Sequence, residues 1–308
     1  MRFRPALAAA FAVSLAGCDV LDFAASQRFT ADFHHSYPLK PGGRLSVDNQ
    51  NGSIEVSGWD EQTVEITGEK FANSEELLAQ IRIDINATPD SVTIRTIRPE
   101  ARRGSSGAKY VIKVPRQTRL DRVISTNGHL RAQDIEADAE LKTSNGAIRV
   151  YDLGGELAAT TTNGSVEVTG VNGGAEIKTT NGRIRAEEVR GSLEASTTNG
   201  SIAVELVNPE PNRPIRLSTT NGSVDARLSD LSSNDLRAST TNGSITVRLP
   251  ADAGVRVQAR TNRSSVQSDF DVQSSGPREK HRLEGTIGAG GPLFDLSTSN
   301  GTIRLLKL

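Results

Sequence analysis

Residues 157–171 read Leu157-Ala158-Ala159-Thr160-Thr161-Thr162-Asn163-Gly164-Ser165-Val166-Glu167-Val168-Thr169-Gly170-Val171. Apolar or small residues alternate with polar ones on both sides of Asn163-Gly164, the period-two signature of strands with one dry and one wet face. The phrase recurs around Asn127-Gly128, Asn145-Gly146, Asn181-Gly182, Asn199-Gly200, Asn221-Gly222 and Asn242-Gly243, and again at Asn300-Gly301. From Asn127 to Asn199 the copies lie 18 residues apart, and the next two steps are 22 and 21. A fixed period in this range marks a repeat architecture whose units bury their apolar faces by stacking.

Each copy supplies two short strands. One ends at the Asn, with Thr161 and Ala159 as its inward side chains, and the next begins three residues later with Val166 and Val168. The Gly of each pair is read as a bend that needs positive φ. In a hairpin meander Asn-Gly would be a two-residue turn. The dry face of a meander would need a second layer, and the array offers no helix to cover it. A transmembrane barrel needs strands of roughly 9–11 residues with an apolar outer face, whereas these strands are shorter and carry Lys142, Arg149, Glu167 and Arg185 outward. A β-solenoid covers its own dry face and places like residues on like at about 4.8 Å per rung, so Asn can ladder on Asn. The expected fold is therefore all-β: a β-solenoid of about 18–22 residues per rung over 119–308, preceded by a small β-strand-rich unit over 41–118. The stretch around Phe294 to Leu305 is read as the final rung, with Phe294 and Leu306 closing the core.

The N-terminal unit shows the same alternation at Leu45 and Val47, Ile54 and Val56, Val64 and Ile66, and Val92 and Ile94. A short helix is predicted after Asn73, with Asn73 and Glu76 as a capping pair. Residues 18–40 read as a tether.

The start of the chain has a different character. Arg2 and Arg4 precede an Ala-rich apolar run from Pro5 to Ala16, too short to span a membrane as a mature helix. Leu15-Ala16-Gly17-Cys18 resembles the lipobox of bacterial lipoproteins. The resemblance implies a signal peptide over 1–17 and a lipid on Cys18, the only cysteine. Such a lipid would hold the protein at the periplasmic side of the inner membrane or at the outer membrane of the cell envelope.

Gly43 to Gly68, with Asn51-Gly52-Ser53-Ile54-Glu55-Val56 and Gly58-Trp59-Asp60, resembles the opening of the bacterial putative-adhesin β-strand-repeat family. The Thr-Thr-Asn-Gly-Ser-Ile repeats and Gly288-Ala289-Gly290-Gly291 extend the likeness over about 41–308. It implies an envelope-associated β-solenoid, and it supplies no catalytic residues.

Composition narrows the chemistry. The 308 residues are 35% hydrophobic and 4% aromatic with net charge −1, so small β-branched side chains must fill the core and no basic field points to nucleic acid. The four His are dispersed as His34, His35, His129 and His281. Asp134 and Asp152, one rung apart, are the weak candidates for a Ca²⁺ site, with pairing to nearby Arg as the stronger expectation. No metal or cofactor is expected. Outward acids Glu167, Glu187, Glu205 and Asp225 are spread along the coil with no long loop to build a glycosidase cleft. Outward hydroxyls form a column at Thr126, Ser144, Thr162, Thr180, Thr198, Thr220 and Thr241. The leading expectation is a lipid-anchored, non-enzymatic envelope protein that binds a glycan or another envelope protein. A structural or envelope-stress accessory role and a polysaccharide-active enzyme are the rivals.

Overall fold

In the computed structural model of the chain, which describes residues 28–98, 106–230, 233–274 and 279–308, the strands on either side of each Asn-Gly pair stack in parallel on those of the neighbouring repeats. The N-terminal part contributes β1 (Phe29–Pro38), β2 (Arg44–Asn51), β3 (Ile54–Trp59), β4 (Thr63–Ala72), helix α1 (Glu75–Gln80), β5 (Arg82–Thr88), β6 (Ser91–Ile97) and β7 (Ser106–Pro115). The repeats follow in pairs: β8 (Arg119–Asn127) and β9 (Leu130–Ile135), β10 (Ala139–Asn145) and β11 (Ile148–Leu153), β12 (Leu157–Asn163) and β13 (Val166–Val171), β14 (Ala175–Asn181) and β15 (Ile184–Val189). Next come β16 (Leu193–Asn199) and β17 (Ile202–Leu206), β18 (Ile215–Asn221) and β19 (Val224–Leu228), β20 (Leu236–Asn242) and β21 (Ile245–Leu249). The chain then forms β22 (Val255–Thr261), β23 (Val266–Ser268), β24 (Val272–Ser274), β25 (Arg282–Ile287), β26 (Leu293–Thr298) and β27 (Ile303–Lys307).

Two long sheets result. The first, 13-stranded, runs β1-β4-β7-β3-β9-β11-β13-β15-β17-β19-β21-β27-β23; the second, 14-stranded, runs β24-β25-β22-β26-β20-β18-β16-β14-β12-β10-β8-β2-β6-β5. Register is in phase from rung to rung: Thr143 pairs with Thr161 and Asn145 with Asn163, then Thr179 with Thr197 and Asn181 with Asn199. This is the expected solenoid. A one-residue slip would turn every Ile and Val to solvent, so the alternation itself fixes the register. Ile148, Val166, Ile184, Ile202 and Val224 are each fully buried, and one continuous core extends from Leu39 to Leu305. Burying a side chain of this size contributes about 1.5–3 kcal/mol.

Several expectations are corrected. Within the tether read over 18–40, residues 29–38 form a strand instead, since β1 pairs antiparallel with β4 and Phe33 packs edge-on against Tyr110 at 5.4 Å between ring centroids. Phe29, Ala31, Phe33, His35 and Tyr37 alternate with polar residues, a strand pattern partly disguised by its histidines. The helix is capped by Ser74, whose Oγ accepts from the Leu77 N–H at 3.3 Å, and not by Asn73. No break separates the N-terminal unit at residue 118, since β2 pairs with β8 and β3 with β9.

The C-terminal end departs most. The pair β26–β27 is not the outermost rung. Phe294 of β26 pairs with Leu236 of β20 on one side and with Val257 of β22 on the other. The chain skips a rung, builds β22 and β23, folds the antiparallel β24–β25 against β22, and returns to fill the gap. Phe294 is completely buried in the core interior, and the end of the second sheet is closed by β25 and β24.

Candidate functional site

The repeated phrase forms the most regular surface of the molecule. Each Asn side chain donates through Nδ2 to Oδ1 of the Asn one rung back: Asn145 to Asn127 at 2.7 Å, then Asn163, Asn181 and Asn199 at 2.8 Å, Asn221 at 2.9 Å and Asn242 at 2.8 Å. Asn300 closes the ladder on Asn242 at 2.7 Å. The ladder begins earlier than the Thr-Thr pattern suggests, with Asn127 donating to Asn51 and Asn51 to the Ser106 carbonyl. Asn51 was legible as an Asn-Gly pair, but Asn49 and Gln50 occupy the two positions before it in place of threonines.

The buried Thr two residues before each Asn has a defined task. Thr161 Oγ1 donates to the Gly146 carbonyl at 3.0 Å, and Thr143, Thr179, Thr197, Thr219, Thr240 and Thr298 repeat the bond. A buried hydroxyl without such a partner would be costly. At the Gly the expected reason is corrected: of the repeat glycines only Gly52 has positive φ. A Cβ on Gly146 would lie 2.0 Å from the Gly128 carbonyl oxygen. Glycine is required by the rung beneath it, and the ladder glycines are close-approach residues before they are bends.

Left-handed backbone occurs at the opposite corner. Asp134, Asp152, Gly170 and Glu188 have φ of 58°, 53°, 72° and 55°. Asp is among the residues that tolerate this region, which accounts for the acidic column without a cation. Arg116 lies 3.9 Å from Asp134, and its guanidinium is held above its ordinary pKa first by Asp60 and then by Asp134 and Glu136. These residues border a shallow groove of about 440 Å³ with Asn172 and Arg190. Among the described residues no group of three or more His, Cys, Asp or Glu is placed to hold a metal ion.

The two outer faces differ. On the first sheet four outward acids of the repeats are in ion pairs: Glu167 with Arg149 at 3.2 Å, Glu205 with Arg227 at 3.4 Å, Glu187 with Arg185, and Asp225 with Arg248. The Glu187 carboxylate keeps Arg185 above its ordinary pKa. On the second sheet, Ser196, Ser218, Ser239 and Ser297 stack in register. Two residues on stand Thr198, Thr220 and Thr241 within their strands, and Ser299 just beyond the end of β26. The result is two parallel columns of outward hydroxyls, spaced about 4.8 Å between rungs and roughly 6.6 Å along the strand. Among the described residues these hydroxyls have no hydrogen-bond partner. Thr126, Ser144, Thr162 and Thr180 extend the outer column toward the N-terminus, and all four are exposed.

The histidines do not converge. His34 and His35 lie on β1, with His34 3.9 Å from Glu65; His129 Nδ1 accepts from the Ala147 N–H, and His281 contacts the Ser264 carbonyl. Cys18 lies outside the described residues.

The sequence model of the family described as Toastrack DUF4097 matches residues 42–306. Among solved structures, the chain resembles a putative adhesin from Parabacteroides distasonis ATCC 8503, at 13% identity over 90% of this chain and 97% of that one, with TM-score 0.53. A putative adhesin from Parabacteroides merdae ATCC 43184 is similar at 14% identity over 90% and 96%, with TM-score 0.51. At these identities the likeness concerns the fold. No curated protein matches the chain.

Proposed function

The chain belongs to the Toastrack DUF4097 family, and we propose that it is a non-enzymatic binding protein of the bacterial cell envelope, anchored by a lipid on Cys18. Its binding surface is the hydroxyl face of the second sheet. The observation that carries this reading is the contrast between the two faces. The first sheet ties Glu167, Glu187, Glu205 and Asp225 to arginines, while the second presents rows of unpartnered hydroxyls beside the Asn ladder. A repetitive donor and acceptor array, bordered by charged residues such as Glu194, Arg216 and Arg237, suits a repetitive hydroxyl-rich ligand such as a glycan. Single contacts of this kind are weak, and their sum along the rungs supplies avidity. The names of the two similar structures lend the same reading a general colour, as both are called putative adhesins. Glu167, Glu187, Glu205 and Asp225, each tied to an Arg, are poorly suited to general acid/base work.

The test combines glycan-array binding by the purified chain with crosslinking pull-down from intact cells. Glycan binding that is lost in the Thr198→Val, Thr220→Val, Thr241→Val variant, with unchanged thermal stability, supports the hydroxyl face. Binding that survives this variant removes it. Capture of a single envelope protein without glycan binding favours the accessory role.

A further inference from the structure

The chain contains ten Asn-Gly pairs, an experiment in chemical reactivity at constant sequence. Asn followed by Gly is the pair most prone to lose its amide, because the unhindered glycine nitrogen can attack the side-chain carbonyl carbon. The reaction needs two freedoms: a glycine N–H released from hydrogen bonding, and a carboxamide able to turn onto it.

In seven pairs both freedoms are removed. At Asn51, Asn127, Asn145, Asn163, Asn181, Asn199 and Asn221 the side-chain amide is bonded through both Nδ2 and Oδ1. The following glycine N–H also donates to the Asn carbonyl of the next rung, as from Gly146 to Asn163 at 3.0 Å and from Gly164 to Asn181 at 3.1 Å. Asn242 keeps both side-chain bonds, while the Gly243 N–H has no acceptor among the described residues. Asn300 has one ladder bond, and Gly301 N–H likewise has no acceptor among them.

Asn172 is the exception. It stands at the opposite corner, outside the ladder, with its side chain exposed and making no hydrogen bond among the described residues. Its backbone is held, since its N–H donates to the Leu153 carbonyl at 2.9 Å and the Gly173 carbonyl accepts from Gly191 at 3.1 Å. The Gly173 N–H has no acceptor among the described residues, and the residue borders the open groove where water has access. One rung on, in the same column, is Arg190, whose N–H donates to the Val171 carbonyl.

We propose that Asn172 is a spontaneous deamidation site, converted to aspartate or isoaspartate while the ladder asparagines are spared. The Gly173 nitrogen gives up its proton to water and bonds to Asn172 Cγ. The Cγ–Nδ2 bond breaks and ammonia leaves, giving a succinimide. One water then opens either carbonyl of the ring, so the balance is amide plus water to carboxylic acid plus ammonia. The new carboxylate adds negative charge to the groove that Arg190 also lines.

The full chain is incubated in mildly alkaline buffer, folded and in denaturant, and acid formation at every Asn-Gly pair is followed by peptide mapping with isoaspartate detection. Denatured, the ten pairs should react at similar rates. Folded, Asn172 should keep nearly its denatured rate and Asn300 should follow. The seven locked pairs should be slower by about a hundredfold, from three hydrogen bonds at roughly fivefold each. Asn172→Gln should abolish the fast phase. Equal folded rates at Asn172 and Asn163, or a fast phase that persists in the Gln variant, would overturn the proposal.

Discussion

Asn163 Nδ2 donates to Asn145 Oδ1 at 2.8 Å, and Asn163 Oδ1 accepts from Asn181 at the same distance. Every interior member of the ladder is thus both donor and acceptor, while Asn300 at the C-terminal end only donates. Asn163→Ala removes two bonds and Asn300→Ala removes one. At about 0.5–1.5 kcal/mol net per bond, urea unfolding should show the interior change to be about twice as destabilising. Equal effects would mean that the ladder is ornamental to stability.

Gly146→Ala places a methyl 2.0 Å from a backbone oxygen that cannot move without shifting a whole rung. We expect a loss of roughly 3 kcal/mol or more, of the kind produced by overpacking. A thermal midpoint within a degree or two of the parent would show that the rungs can separate locally.

Thr161→Val keeps the shape of the side chain and deletes the donor to the Gly146 carbonyl. About 1–3 kcal/mol should be lost, because a buried carbonyl loses its partner. Thr161→Ser retains the hydroxyl and should be distinctly milder. A milder Val variant would contradict the role assigned to this bond.

Tyr110 is almost completely buried, with its hydroxyl 2.6 Å from Thr96 Oγ1. Burial pushes its pKa up from 10.0 to about 12, against a smaller lowering by the Thr96 hydrogen bond. The raised value favours the protonated form in the folded state. Its contribution is therefore complete below pH 10 and is lost as pH rises to about 12. Stability should fall by about 2–3 kcal/mol across that window from this group. Denaturant unfolding at stepped pH should show a shallower decline in Tyr110→Phe.

Cys18→Ser tests the lipid anchor. Cell fractionation should move the protein from the membrane fraction to the soluble one. Retention in the membrane would remove the anchor from the proposal.

Much of this architecture could be read from spacing. The in-phase return of Thr, Asn and Ile predicts stacked rungs because only parallel stacking gives like residues the same neighbours. The inward Thr and the ladder followed from that. Gly146 was legible as a glycine that mattered, but its reason was not, since a contact with Gly128 is invisible until the rung spacing and backbone direction are known. The carboxylate column at Asp134 and Asp152 reads chiefly as pairing with Arg, with a Ca²⁺ site as the weaker candidate; Asp134 lies 3.9 Å from Arg116, while the left-handed backbone at both positions is invisible in the spacing. The hydroxyl face was half visible: the Thr198 and Thr220 column stood out, while its companion at Ser196 and Ser218 was hidden by Lys142 and Lys178 in the same phase earlier in the array. β1 was missed because its pairing with β4 joins residues up to 43 positions apart, as in Phe29 with Ala72.

The return of β26 and β27 between older rungs has a consequence for biosynthesis. A solenoid can zip along as its chain emerges from the ribosome, each rung templating the next. Here zipping must pause after β21, because the strands that belong on β20 and β21 come later in the chain than β22 to β25. Until residues 293–307 emerge, β22 and β23 have no neighbour on the array side, and the open end of the core waits beside them. The array is thus locked from within by β26 and β27. A chain lacking residues 293–307 would lose the wedge that joins cap to column.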